Sequence, residues 1–203
     1  MLFLDELPEF DRKVLEVLRE PLESGQIVIS RARDRVSFPA RFQLVAAMNP
    51  CPCGYLGEPS GRCRCTPEQI QRYRNKLSGP LLDRIDLHVT VARETTALNP
   101  SQPIGDDTAS ASALVARARE GQQLRQGCAN AFLDLPGLRR HCALSKVDEG
   151  WLENACERLT LSLRAAHRLL KVARTLADLE QAASIRREHL AEALQYRPAS
   201  PSI

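Results

Sequence analysis

With 203 residues the chain has room for one ordinary domain, or a small domain with an appendage. Its hydrophobic share of 43% and charged share of 26% are those of a globular protein, and aromatics at 4% leave the core to Leu, Ala, Val and Ile. A net charge of +3 is too small to announce a nucleic-acid partner, no run is apolar enough for a membrane span, and the first residues lack the order of a signal peptide, so the expectation is a cytoplasmic protein with no membrane partner.

Residues 1–4 read as a short buried strand ending in Asp5-Glu6. A helix is expected over 11–20, with Val14, Leu15 and Leu18 on one face, Asp11 as N-cap and Pro21 as its stop. After a turn at Gly25, residues 26–30 and 36–38 form a hairpin whose tip, Arg31-Ala32-Arg33-Asp34-Arg35, is strongly charged. Residues 42–47 have the unbroken apolar pattern of a strand buried on both faces, and it runs into Met48-Asn49-Pro50. A Cys/Gly/Pro-rich loop over 51–67, a polar helix over 68–77 and a last strand over 87–91 complete an α/β unit with a parallel sheet.

The composition of 94–107, rich in Thr, Asn, Pro, Ser and Gly, marks a linker. Beyond it the chain is helical, over 109–126, 138–142, 148–159, 162–183 and 186–196. In the longest of these helices Leu163, Ala166, Leu170, Ala173 and Ala177 form an apolar stripe opposite Arg164, Arg168 and Lys171. The domains are therefore 1–93, a linker over 94–107, and 108–203.

Seven cysteines is an odd count, and in a reducing compartment close spacing favours metal over disulfides. Cys51-Pro-Cys53 and Cys63-Arg-Cys65 offer four thiolates across a short loop, enough to hold Zn²⁺ tetrahedrally. The C-x-C pairs are tighter than the usual C-x₂-C, and four reduced thiols fit the same pattern. Cys128, Cys142 and Cys156 are expected as core or neutral surface residues of the helical part, and the four histidines show no ligand spacing. The hairpin tip gathers Arg31, Arg33 and Arg35, and Arg62, Arg64, Arg72, Arg74 and Lys76 add a second basic region. Such groups contact a nucleic-acid backbone or form a solvated basic surface.

Leu2-Phe3-Leu4-Asp5-Glu6, Asn49 after the next strand, Leu81-Leu82-Asp83-Arg84-Ile85-Asp86 and Ser162-Leu163-Arg164 occur in the order of the AAA+ ATPases. Asp5-Glu6-Leu7-Pro8-Glu9-Phe10, the stretch 38–87 and the run 168–179 resemble the magnesium-chelatase-like AAA+ family of the ComM/YifB type. The resemblance covers essentially the whole chain. It implies the C-terminal half of a P-loop ATPase core, a parallel sheet with helices, followed by a helical lid domain. Asp5 would hold Mg²⁺ directly or through water, and Glu6 would polarise the water that attacks the γ-phosphate of ATP. Asn49 would be the sensor between these acids and the nucleotide, its amide positioning the attacking water or touching the γ-phosphate. Arg84 would be an arginine finger entering the neighbouring subunit, and Arg164 would reach the γ-phosphate from the lid.

Each element also has a plainer reading: a strand ending in solvated acids, an Asn opening a turn before Pro50, an Arg84 paired with Asp83 or Asp86, a packed amphipathic helix. The resemblance further implies a homo-oligomeric ring, hexameric, that drives DNA branch migration in natural transformation, with the hairpin gripping DNA in the pore. The alternatives are the ATPase subunit of magnesium chelatase and a non-catalytic truncated fragment. No Gly-x-x-x-x-Gly-Lys-Ser/Thr occurs. The resemblance implies that this phosphate cradle, and an N-terminal domain resembling the Lon protease fold, lie upstream of Met1, and that the chain alone is inactive.

Overall fold

The computed structural model describes residues 1–31, 34–59, 61–91 and 107–197. Its contacts divide the chain into two compact units, Met1–Ile85 and Asp86–Ile203. The expected linker over 94–107 lies outside the described residues except for Asp107.

In the first unit β1 (Leu2–Leu4) pairs in parallel with β4 (Leu44–Ala46), in the register Leu2 to Leu44, Phe3 to Val45 and Leu4 to Ala46. The helical segment and hairpin between them form the crossover that a parallel pair requires. Strand β4 was expected to be buried on both faces. It is shorter than the apolar run, and Val45 and Ala46 are exposed.

The helix expected over 11–20 is two short helices, α1 (Arg12–Val17) and α2 (Arg19–Ser24). Asp11 caps α1, its carboxylate accepting from Lys13 N at 2.7 Å. Pro21 does not stop the helix. It occupies the third position of α2, where the missing N–H would have had no partner in any case. Gly25 ends α2 in the left-handed region at φ 68°, and a Cβ there would meet Arg41 Cγ at 2.8 Å. Leu7, Leu15, Leu77 and Leu81 form the core of this unit, with Leu4, Leu18, Leu22 and Leu82 packed around them.

The hairpin is longer than expected. Its strands β2 (Gln26–Arg31) and β3 (Asp34–Pro39) run antiparallel, from Gln26 opposite Pro39 to Arg31 opposite Asp34. Ile27 faces Phe38 and Ile29 faces Val36, so one face of the ribbon is apolar, and all four side chains are exposed. Two short helices, α3 (Pro67–Arg74) and α4 (Gly79–Leu82), complete the unit.

Among its described residues the second unit carries the helices α5 (Thr108–Gln126), α6 (Leu135–His141), α7 (Lys146–Arg158), α8 (Leu163–Leu179) and α9 (Arg187–Gln195). The strand expected over 87–91 pairs with no strand among the described residues. Leu87, Val89 and Val91 are exposed, and His88 N donates to Tyr196 O at 2.7 Å.

The core holds Leu133, Leu138, Cys142, Leu152, Leu169, Ala173, Ala177, Ile185, Leu190 and Ala193, with Cys128 and Cys156 packed against it. Burial pushes the Cys142 thiol up to about 11, as fits a packed, unreactive cysteine. Leu163, expected in the apolar stripe of α8, is 74% exposed. The buried line runs instead through Leu169, Ala173 and Ala177.

Helix α8 stops at Leu179, short of 183, because Gln181 takes the left-handed conformation at φ 58°. Gln181 N then bonds Asp178 O at 3.1 Å, and Ala182 N bonds Ala177 O at 2.8 Å. This is a Schellman ending made without glycine, and Thr160 ends α7 in the same way.

Candidate functional site

The strand pairing continues past the ends of β1 and β4. Ala47 N donates to Leu4 O at 2.9 Å, and Leu7 N donates to Ala47 O at 2.9 Å. Asp5 and Glu6 therefore lie between two bonds to Ala47, and Asn49 follows two residues later on the same C-terminal edge. Asp5 Oδ1 accepts from Glu6 N at 2.9 Å. Glu6 has φ 49° and ψ 46°, left-handed values that cost a side-chain-bearing residue about 1 kcal/mol. Backbone conformations of this kind gather at functional sites. Both carboxylates are exposed, and Leu7 and Pro8 behind them are buried.

Asn49 is exposed. Cys51, two residues on, is fully buried. Gly54 sits over the Asn49 amide in a left-handed conformation at φ 80°; a Cβ there would stand 3.8 Å from Asn49 Oδ1. Tyr73 of α3 is 7% exposed. Burial raises its pKa most, the charges of Glu9, Glu6 and Cys51 add to the rise, and contact with the Asn49 backbone opposes it. The Tyr73 hydroxyl thus lies against the Asn49 backbone and within reach of the charges of Glu6, Glu9 and Cys51. Lys76 lies 5.7 Å from the Tyr73 ring centre and pairs with Glu9 at 3.1 Å.

The four cysteine sulfurs of Cys51, Cys53, Cys63 and Cys65 lie within 4.8 Å of one another. Cys51 Sγ is 3.4 Å from Cys53 Sγ and 3.8 Å from Cys63 Sγ, and Cys53 to Cys63 is 3.7 Å. A tetrahedron of Zn–S bonds of about 2.3 Å has edges of roughly 3.8 Å, so the donor set and its spacing fit Zn²⁺. The Tyr55 backbone lowers the Cys53 thiol to about 6, and its bond to Cys53 raises Cys65 to about 12. Directly after Cys65, Thr66 opens α3 with a reciprocal capping box: Gln69 N donates to Thr66 Oγ1 at 3.3 Å, and Thr66 N donates to Gln69 Oε1 at 2.9 Å.

Arg84 is bound inside its own unit. Its Nε donates to Arg19 O at 3.1 Å, Nη1 to Pro80 O at 2.6 Å, and Nη2 to Glu23; the side chain is 11% exposed. Its acid partner is therefore Glu23, not its sequence neighbours Asp83 or Asp86. Asp86 pairs with Arg168 at 2.9 Å. Arg164 is the second residue of α8, exposed on the first turn after the Ser162 cap. Arg35 is exposed on β3, and Arg31 ends β2. Arg33 lies outside the described residues.

Sequence reasoning missed Tyr73 and Glu23. A lone aromatic in a polar helix just after the cysteines was the only signal for Tyr73, and Glu23 gave none. It also missed the polar centre of the helical unit. There Asp178 accepts from Arg125 Nη1 at 2.6 Å and Nη2 at 2.9 Å, from Arg174 Nη2 at 2.8 Å and from Asn130 Nδ2 at 2.8 Å.

A mixed helix-and-sheet fold with a parallel strand pair, acids at its C-terminal edge and an asparagine after the neighbouring strand is in keeping with an AAA+-like magnesium-chelatase family. The family model "Magnesium chelatase, subunit ChlI" matches residues 1–98, and "Magnesium chelatase, subunit ChlI C-terminal" matches residues 105–197. The chain belongs to this magnesium-chelatase-like family, and within it to the ComM/YifB type. It is 51% identical over 199 residues to the protein YifB of Escherichia coli, covering 97% of this chain and 39% of that protein. It is also 51% identical over 199 residues to competence protein ComM of Haemophilus influenzae, covering 97% of this chain and 38% of ComM. An uncharacterised protein of Mycobacterium tuberculosis is 41% identical over 201 residues, 97% of this chain and 39% of its own length. The chain thus spans about two fifths of the length of the relatives it matches.

Proposed function

We propose that the chain is the triphosphate-sensing and cleaving part of an ATP-driven ring motor that moves DNA, as the competence name of its ComM relative would fit. The observation that carries this reading is the parallel pairing of β1 with β4. It sets the Asp5–Glu6 exit beside the segment leading to Asn49, at the sheet edge where open α/β proteins bind ligands. Exposed Asp5 suits a hydrated Mg²⁺, which would offset charge on the phosphates of ATP. Glu6 would orient and polarise the attacking water, and Asn49 would hold that water or the γ-phosphate. A phosphate-cradling loop would have to be supplied from outside these 203 residues, which hold no Gly-x-x-x-x-Gly-Lys-Ser/Thr. Arg164, at the start of α8, would meet the γ-phosphate from a helical lid.

Arg84 would act across a subunit boundary in a hexameric ring, which requires Glu23 to give it up. The hairpin, with Arg31, Arg33 and Arg35 at and beside its tip, would contact DNA phosphates without reading bases. The cysteine cluster would hold Zn²⁺ as a staple of the loop, and the motor would work in the cytoplasm.

The deciding test uses the full-length protein. Glu6→Gln is expected to cut ATP hydrolysis on the order of a hundredfold or more while ATP still binds; undiminished turnover overturns the assignment. Mixing Arg84→Ala with Glu6→Gln subunits is expected to restore part of the hydrolysis, and a mixture no better than its parents rejects Arg84 as a residue acting in trans. Arg31→Ala with Arg33→Ala is expected to weaken single-stranded DNA binding and flatten its salt dependence. A second reading, a motor for metal insertion, is favoured by the chelatase description of both family matches. Absence of any salt-dependent DNA binding by the wild-type protein would favour it.

A further inference from the structure

The residues between Asn49 and Tyr73 form a closed circuit. It leaves Asn49 through Pro50 into the buried Cys51, turns at Gly54 against the Asn49 amide, and reaches Cys63 and Cys65. The Thr66 cap then starts α3 one residue after Cys65, and α3 carries Tyr73 back to the Asn49 backbone. Both ends of the circuit touch Asn49, and the four sulfurs gather from both limbs, with Arg62 5.8 Å from the Tyr55 ring centre as a second, weaker crossing. The Cys51 and Cys53 sulfurs come from the limb that leaves Asn49, and those of Cys63 and Cys65 from the limb that returns.

We propose that metal bound by Cys51, Cys53, Cys63 and Cys65 is a positioning element for Asn49, closing this circuit so that the asparagine is held beside the Asp5–Glu6 edge. The physical reason is loop closure. Without a cross-link the two limbs are joined by an irregular, mostly exposed loop and the exposed Arg62–Tyr55 contact, and the loop's conformational freedom reaches Asn49 at both ends. A metal ion bonded to both limbs removes that freedom, and its binding energy becomes local ordering energy. The acids need no such aid, because backbone bonds to Ala47 on either side already fix them. Asn49 lies beyond the last of these bonds, so it is the member of the constellation that depends on the loop. The inference rests on the reading of the cysteines as a metal site and of Asn49 as a nucleotide contact, and the test separates the three.

The chain is purified with Zn²⁺, stripped with a chelator and reloaded with Zn²⁺ alone. Metal content is measured together with amide hydrogen exchange, peptide by peptide. The expected result is one Zn²⁺ per chain and exchange over residues 48–55 slowed at least tenfold on loading. The β2–β3 hairpin and helices α5 to α9 should stay unchanged. Tyr73→Phe should keep the metal but reduce the slowing at 48–50 at least threefold.

Failure to bind Zn²⁺ removes the metal site and the inference with it. One Zn²⁺ with slowing confined to 51–65 leaves the metal site standing and overturns the positioning role. Slowing throughout residues 1–85 also overturns it, because the metal would then be a general stabiliser. In the full-length protein, stripping is expected to lower kcat for ATP at least fivefold with KM little changed. Coupled exchange with undiminished kcat would keep the positioning of Asn49 and reject its nucleotide contact.

Discussion

The two units are held together by different means. The helical unit has ten buried core residues and, at its centre, a carboxylate shared by two arginines and an asparagine. The unit that carries the candidate nucleotide site has four buried leucines, strands with exposed faces, and polar ties at its margins: Arg84 to Glu23 and two carbonyls, Lys76 to Glu9, and the cysteine cluster. The contrast teaches that the helical unit is organised from its centre, whereas the site-bearing unit is organised from its edges. The larger buried core lies in the helical unit, and the candidate nucleotide edge of the other unit is expected to be the more readily opened.

The largest expected effect tests the helical half of that contrast. Asp178→Ala would leave Arg174, 3% exposed at its side chain, and Arg125 without their shared acid, and should cost about 3 to 5 kcal/mol. Thermal denaturation followed by helix content checks it, and a shift of a degree or two would mean the network is dispensable. Next comes Leu81→Ala in the other unit. Leu81 is 1% exposed and one of four core leucines, so about 3 kcal/mol is expected, seen as faster exchange across residues 1–85. A loss confined to α4 would show that the edge ties, not the leucines, carry this unit.

A smaller effect is expected from acid. Burial alone would raise the Asp178 carboxyl, but its bonds to Arg125 and Asn130 and the charge of Arg174 bring it below the ordinary 3.8. A depressed folded value means the contribution is complete above the unfolded pKa and is lost as pH falls through the folded one. The helical unit should therefore weaken below about pH 4, and Asp178→Asn should flatten that limb. Smallest is Ser162→Ala. It removes the Oγ that accepts from Ala165 N at 3.2 Å and should cost about 1 kcal/mol, with fraying at the Arg164 end of α8.

Much of the fold was legible because it is written in local pattern. The acids after an apolar strand, the hairpin, the polar helix after the cysteines and the long amphipathic helix all follow from periodicity and capping residues. The cysteine cluster was legible because Cys51, Cys53, Cys63 and Cys65 are joined by so short a stretch of chain that their sulfurs can hardly lie far apart. Pro21 misled because helix-breaking holds for interiors and not for a first turn. The ends of α7 and α8 were hidden because Thr160 and Gln181 take conformations usually marked by glycine. Residues 87–91 have strand-like alternation, but ladder formation depends on a partner elsewhere in space, which no local pattern records. The Arg84–Glu23 tie and the Asp178 network join residues far apart in the chain, and charge pattern along a single helix gives no hint of either.

Glu6 shows what such a design costs. At φ 49° glycine would rest more easily than glutamate, by about 1 kcal/mol. A library at this position selected only for heat resistance should therefore drift toward glycine or asparagine, and if Glu6 is the proposed water-activating acid, the winners should be sturdier proteins without ATP hydrolysis. Under the proposed role of Glu6, endurance and turnover pull this one backbone position in opposite directions.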